Sequence, residues 1–215
     1  MKTYFSFVFR NMQGIFIALI ALLLSNIALA DTAPPQAVIE ENSNRLIDAI
    51  KAQGDAIKQD PKIAYQLVND IVLPHIDFTR VSRIVLGKYW RRASAEQRNK
   101  FQDEFTKLLV RTYVTAMVEF SDKIISHAKN VKFLPFRGDL TSEDVTVRME
   151  IKLDDRPPVS VNYSLFENGS GWKIYDLSIE GVSLATTYRS SFASEIRRSD
   201  LDTLIGKLEA KNANR

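Results

Sequence analysis

The sequence predicts an α+β domain in which helices pack on one side of a curved antiparallel sheet of about four strands. Two observations carry this. Apolar residues recur at three-four spacing from Val38 to Phe120, then alternate with polar residues from Val131 onward, so the period passes from helical to extended. Such a sheet has one apolar face that must be covered, and the helical segments before it and after Ile179 are the available cover.

The first thirty residues are set apart. Lys2 and Arg10 precede the apolar run Gly14–Leu24, and Ala28-Leu29-Ala30 gives a small-x-small cleavage site, the pattern of an export signal that leaves Asp31 first. A membrane anchor is the rival reading, but Gly14–Ala30 is interrupted by Ser25 and Asn26 and falls short of the roughly 20 apolar residues of a span. Setting 30 of the 215 residues aside leaves 185, enough for one core, here 36–213 after a linker at 31–35. Without Lys2 and Arg10 the 29 basic residues become 27 against 26 acidic ones, and this balance argues against a nucleic-acid partner. With no cysteine there is neither disulfide nor thiolate chemistry nor an N-terminal lipid anchor, so apolar burial must hold the exported domain.

Val38, Leu46, Ile47 and Ile50 mark a first helix to about Gln53, beside Gly54. Asp60-Pro61 opens a second, with Ile63, Ala64, Leu67, Val68 and Ile71 as its stripe until Pro74. Asp77 caps a short third helix, and Gly87 is its expected left-handed stop. Ser94-Ala95-Glu96-Gln97 is a capping box opening the longest helix, apolar along one face from Phe101 to Phe120. Val145 to Leu153, Val159 to Leu165 and Trp172 to Ile179 read as strands, with turns at Arg156-Pro157-Pro158 and Asn168-Gly169-Ser170-Gly171. Two last helices are expected at about 184–197 and 200–212.

Reactive groups are scarce. His75 and His127 sit in no ligand-spaced motif, so no metal is expected: Asp77 reads as a helix cap, His75 as turn, and His127 as solvated loop. Gly181-Val182-Ser183-Leu184-Ala185 nearly spells a nucleophile elbow, yet it lacks the second glycine and no histidine follows it, so Ser183 reads as a cap. Glu40-Glu41 and Asp154-Asp155 read as solvated pairs. No cofactor motif is present. The aromatic surplus between 73 and 120 suits a packed core and a ligand cavity alike, because both need inward apolar positions.

The segments VLPHIDF, VLGKYWRRASAEQRNKFQDEFTKLLVRTY and VRMEIKLDDRPPVSVNYSLFENGSGWKIYDLSIEGVSL, over about residues 36–210, resemble the MlaC, or toluene-tolerance, family of periplasmic phospholipid-binding proteins. Three pieces together are specific: Leu73-Pro74 with Val85-Leu86-Gly87; Ala93-Ser94-x-x-Gln97 with Phe101 and Phe105; and Trp172-x-x-Tyr175-Asp176 leading to Glu180-Gly181-Val182-Ser183. The chain departs from the family at Ser199-Asp200-Leu201-Asp202, where a glycine is usual before the last helix, and this bears on that helix's angle.

The resemblance implies an NTF2-like (nuclear-transport-factor-2 type) fold closing a deep apolar pocket. It implies a non-enzymatic carrier that shuttles glycerophospholipid between membranes and maintains outer-membrane lipid asymmetry. Implied partners are an inner-membrane Mla ABC transporter complex, met through its substrate-binding ring, and an outer-membrane lipoprotein–porin complex. The expected acyl-chain wall is Val81, Val85, Tyr89, Trp90, Tyr113 and Met117 from helices, with Val147, Met149, Ile151, Val161, Tyr163 and Leu165 from the sheet. Arg80, Arg83, Lys88, Arg91 and Arg92 are either partner-docking cations or a solvated helix face. A chaperone or carrier of another apolar ligand, and a hydrolase using Ser183, are the alternatives.

Overall fold

The computed structural model describes residues 33–153 and 157–213. The signal and its cleavage site, Asp154-Asp155 and Arg156 lie outside the described residues. Helix α1 spans Pro35–Gln59 and is longer at both ends than the spacing predicts. Pro35, expected in a linker, is its buried first residue, where the missing N–H of proline costs nothing. At the other end the helix runs through Gly54, because Ile50 and Ile57 are both fully buried and continue the stripe past it. That burial outweighs the roughly 1 kcal/mol disadvantage of a helical glycine.

Asp60 caps α2 (Pro61–Leu67) by accepting a hydrogen bond from the Lys62 N–H at 3.0 Å. The predicted single helix to Pro74 is instead three pieces: α2, a π-helical turn at Val68–Val72 and a 3₁₀ turn at Leu73–His75. The Leu73 N–H reaches back to the Val68 carbonyl, one residue further than an α-helix allows. Helix α3 (Phe78–Leu86) is capped by Asp77 and ends at Gly87, whose φ of 54° is positive as expected but whose ψ of −120° lies outside the left-handed helical well. That backbone conformation requires glycine, and a Cβ there would also stand 2.9 Å from Nε of Arg189, whose side chain would have to shift.

A one-turn helix, α4 (Lys88–Arg92), precedes α5 (Ala95–Glu119), which opens with the predicted reciprocal bonds between Ser94 and Gln97. Helix α6 (Ser121–His127) follows, and His127 is its last residue rather than loop, with Nδ1 2.9 Å from the Lys123 carbonyl oxygen. Strands β1 (Val131–Phe133), β2 (Asp144–Ile151), β3 (Val159–Glu167), β4 (Trp172–Ile179) and β5 (Val182–Ser183) form an antiparallel meander in chain order. The fifth strand, only two residues long, is too short to show alternation in sequence. Helices α7 (Leu184–Arg198) and α8 (Leu201–Ala213) close the described chain.

Three apolar clusters result. Phe101 and Phe105 of α5 pack with Phe192 of α7 and Leu201 and Ile205 of α8; the two α5 rings meet Phe192 edge-on at 5.8 and 5.5 Å. Ile39 of α1 seats on Val145, Val147, Leu165 and Trp172 of the sheet. The far half of α1 packs Ile50 and Ile57 against Ala64, Val114 and Met117.

Candidate functional site

Between these clusters a space is left, bordered by β3 and β4 and by helices α3, α5 and α7. The register of β3 against β4 shifts between Ser164 and Leu165, so Ser164 pairs with Asp176 while Leu165 pairs with Ile174, and Tyr175 is the extra residue. Ile174 also bridges to Ile76, and its carbonyl accepts the Asp77 N–H at 3.0 Å, which anchors the start of α3 at the bulge. Beside this anchor, between the sheet and the helices, lies a cavity of about 320 Å³. Its size is at the low end of the roughly 300–1,000 Å³ of small-molecule sites.

The floor is Tyr163 of β3 with Ile174 and Leu177 of β4. Val68, Val72, Leu73 and Ile76 wall it from the irregular turns, and Phe78 and Val81 from α3. Helix α5 contributes Phe105, Leu109, Val110 and Tyr113, and α7 contributes Leu184, Ala185 and Tyr188. The surface is almost wholly apolar. Its one carboxylate, Asp176, is occupied: Oδ2 accepts the Ser183 hydroxyl at 2.6 Å and Oδ1 the Ala185 N–H at 3.0 Å. Ser183 Oγ in turn accepts the Thr186 N–H, so the serine and aspartate form a joint cap for α7.

Tyr113 is the most exposed residue of the wall, at 44%, and marks where the cavity meets solvent. Burial first, and then the neighbouring Tyr188, pushes the Tyr113 pKa up to about 12. Burial also raises Tyr163 and Tyr188, so the phenols remain neutral donors at ordinary pH. The space can take up an uncharged, chain-like molecule with no reactive group aimed into it.

His75 lies in the turn ahead of α3, its pKa lowered by burial and by the positive charges of Lys173 and Arg45, with Glu41 opposing. Asp77 accepts the Arg80 N–H at 2.8 Å. Among the described residues no group of three or more histidines and acids is placed to hold a metal.

Of the expected wall residues, Val81, Tyr113 and Tyr163 border the cavity. Val85 is instead buried in the helical cluster, with Tyr89 and Trp90 packed against its outside. Met117 belongs to the third cluster, and Val147 and Leu165 lie under Ile39. Met149 and Val161 are buried elsewhere on the sheet, and Ile151 is half-buried at the end of β2. One missed feature had a sequence signal: Trp172 and Ile174 keep step two, then Leu177 and Ile179 resume it out of phase, which is the bulge. The π-turn residues Val68 and Val72 had none, since they fit a helical stripe.

The expected docking cations divide. Arg80 is engaged, with Nη2 2.5 Å from Asp144 and its guanidinium 4.1 and 4.4 Å from the ring centres of Phe166 and Tyr175. Arg83, Lys88, Arg91 and Arg92 are exposed, and no carboxylate among the described residues is within ion-pair reach of them.

The profile of the family described as MlaC protein matches residues 40–210. The chain is 28% identical over 193 residues, 89% of its length and 87% of the relative's, to the intermembrane phospholipid transport system binding protein MlaC of Haemophilus influenzae. It is 26% identical over 196 residues, 90% and 86% of the two lengths, to the toluene tolerance protein ttg2D of Pseudomonas putida. The solved structure of a phospholipid-binding protein from Ralstonia solanacearum in complex with a phospholipid superimposes with a TM-score of 0.71 at 32% identity, covering 84% of this chain and 98% of that one.

Proposed function

This chain belongs to the MlaC protein family, and on that premise we propose that it is a periplasmic carrier that takes the acyl chains of a glycerophospholipid into the cavity between β3, β4 and helices α3, α5 and α7. The observation that carries this is the apolar, nearly uncharged space bordered by the bulged sheet and the helices. The phospholipid bound to the Ralstonia solanacearum relative supports the ligand class.

Each methylene withdrawn from water contributes about 0.8 kcal/mol, so two long tails amount to on the order of 20 kcal/mol. Release into water on that scale is negligibly slow, and a carrier of this kind unloads only while docked. Its docking partners are then the transporter ring of the inner membrane and the lipoprotein–porin complex of the outer membrane, with the carrier shuttling between them. Among the described residues no helix is long and apolar enough to cross a membrane. The first thirty residues act as the export signal, and the mature chain folds as one lipid-binding domain.

Organic extraction of the protein purified from the periplasm, followed by mass spectrometry, is expected to give diacyl phospholipid at near one molecule per chain, with an N-terminus at Asp31. Recovery of peptides or other apolar molecules in its place identifies a chaperone or a different carrier.

A further inference from the structure

We propose that the β4–β5 hairpin is a docking ledge for the apolar rim of a lipid-conducting partner protein, with Ile179 and Val182 as its contact surface; this rests on the carrier reading above. Tyr163 and Leu177, which floor the cavity, face each other across β3 and β4. One pair further along the same face stand Val161 and Ile179, and Ile179 pairs in turn with Val182 of β5. Val161 is 6% exposed, but Ile179 is 40% and Val182 60% exposed. The face that floors the cavity therefore continues onto a bare apolar ledge. The chain passes from the wall residues Asp176 and Leu177 through this hairpin to the wall residues Leu184 and Ala185. Tyr113, where the cavity meets solvent, neighbours Tyr188 of α7, the helix into which the hairpin leads.

The hairpin is held rigid at a local cost. Its two central residues, Glu180 and Gly181, have φ of 50° and 76°, and Glu180 is the one non-glycine residue with positive φ among the described residues. Two-residue turns that follow the strand twist need such angles, which glycine and asparagine adopt with less strain than glutamate. Here Ser160 of β3 fixes Glu180 from both sides: the Glu180 N–H donates to the Ser160 carbonyl at 2.9 Å, and the Glu180 carboxylate accepts the Ser160 N–H. Strain of this kind persists only where its surroundings over-determine it, and it points to a function. What it achieves here is to hold Ile179 and Val182 in solvent as a fixed pair.

Apolar side chains beside a mouth that passes acyl chains have a physical use. Each methylene wetted during transfer costs about 0.8 kcal/mol, so the route from one protein to the other must be sealed from water along its length. An apolar pair that continues the cavity floor is where a partner's own apolar rim closes that seal. A bilayer fits less well, because Glu180 at the tip would carry its carboxylate into the lipid.

The test loads the purified carrier with a fluorescent phospholipid and follows its passage to the inner-membrane transporter complex in liposomes and to the outer-membrane lipoprotein–porin complex. Every transfer crosses the same mouth, so Ile179→Thr combined with Val182→Thr, which keeps the β-branching but removes apolar surface, should slow passage about tenfold with both. Lipid load and melting temperature of this double variant should match wild type. Leu140→Ser, at a comparably exposed apolar residue in the β1–β2 loop, should change nothing. Wild-type rates in the double variant with either complex, or an equal loss in Leu140→Ser, overturn the assignment and leave the carrier intact. So does a fall in the double variant's lipid load, which would make the pair part of the lipid's own wall. Binding of wild type to protein-free phosphatidylglycerol vesicles, lost in the double variant, would make the ledge a membrane contact and also overturn it. A wild type that carries phospholipid but passes it to neither complex removes the partner and the assignment with it; one that carries none refutes the carrier reading itself.

Discussion

Val147 and Tyr163 stand directly opposite each other on β2 and β3, yet only Tyr163 borders the cavity. Val147 is 1% exposed and lies under Ile39 of α1, whereas Tyr163 packs beside that cluster and reaches into the open space. One face of one strand pair is therefore filled at one residue and hollow at the next.

The two positions should respond differently to a charge. Tyr163→Asp is expected to reduce co-purified phospholipid about tenfold, since it places a carboxylate where tails would lie, while leaving a folded protein. Val147→Glu buries an unpaired charge in packed core and is expected to destabilise the fold by about 3 to 5 kcal/mol. Thermal melts and lipid extraction of both variants check this; a Val147→Glu protein with wild-type stability and empty of lipid would contradict the packing described.

Ser183 is expected to matter for stability alone. Ser183→Ala removes the serine part of the α7 cap and leaves Asp176 with the Ala185 N–H alone, costing about 1 to 2 kcal/mol by denaturant titration, with lipid load retained. Ester turnover that disappears in this variant would restore the hydrolase alternative.

Arg80→Ala should lower stability by about 1 to 2 kcal/mol, because the side chain is stacked on Phe166 and Tyr175 and paired with Asp144. Charge reversal of Arg83, Arg91 and Arg92 should shift stability by less than about 0.5 kcal/mol. If these three meet an acidic partner face, their reversal weakens association at low salt, and binding measured at two ionic strengths separates the two groups.

Glu104 of α5 holds the end of α8, accepting from the Asn212 amide at 2.7 Å and from Lys107. Burial alone would raise its pKa, but the bonds from Asn212 and Lys107 outweigh burial and leave it below the ordinary 4.5. A lowered carboxylate pKa gives stability that is present above the unfolded value and lost as pH falls through the folded one. Melting temperature should therefore decline below about pH 4.5, and Glu104→Gln should be less stable at pH 7 with a shallower acid slope.

What the sequence by itself determined is local. Asp60, Asp77, Ser94 with Gln97, and Ser183 cap helices as their side-chain chemistry requires, and alternation along β2 and β3 sets which residues point inward. The phase break at Tyr175 was also legible. The tertiary structure alone decided which inward residues meet a neighbour. Val85, Met117, Val147 and Leu165 meet packed side chains, while Val81, Tyr113 and Tyr163 meet open space. The reason is that apolar burial has no direction: it drives a side chain away from water but does not specify whether another atom waits opposite. That depends on how α3, α5 and α7 pack over β3 and β4, segments far apart in the chain, and no single segment encodes it.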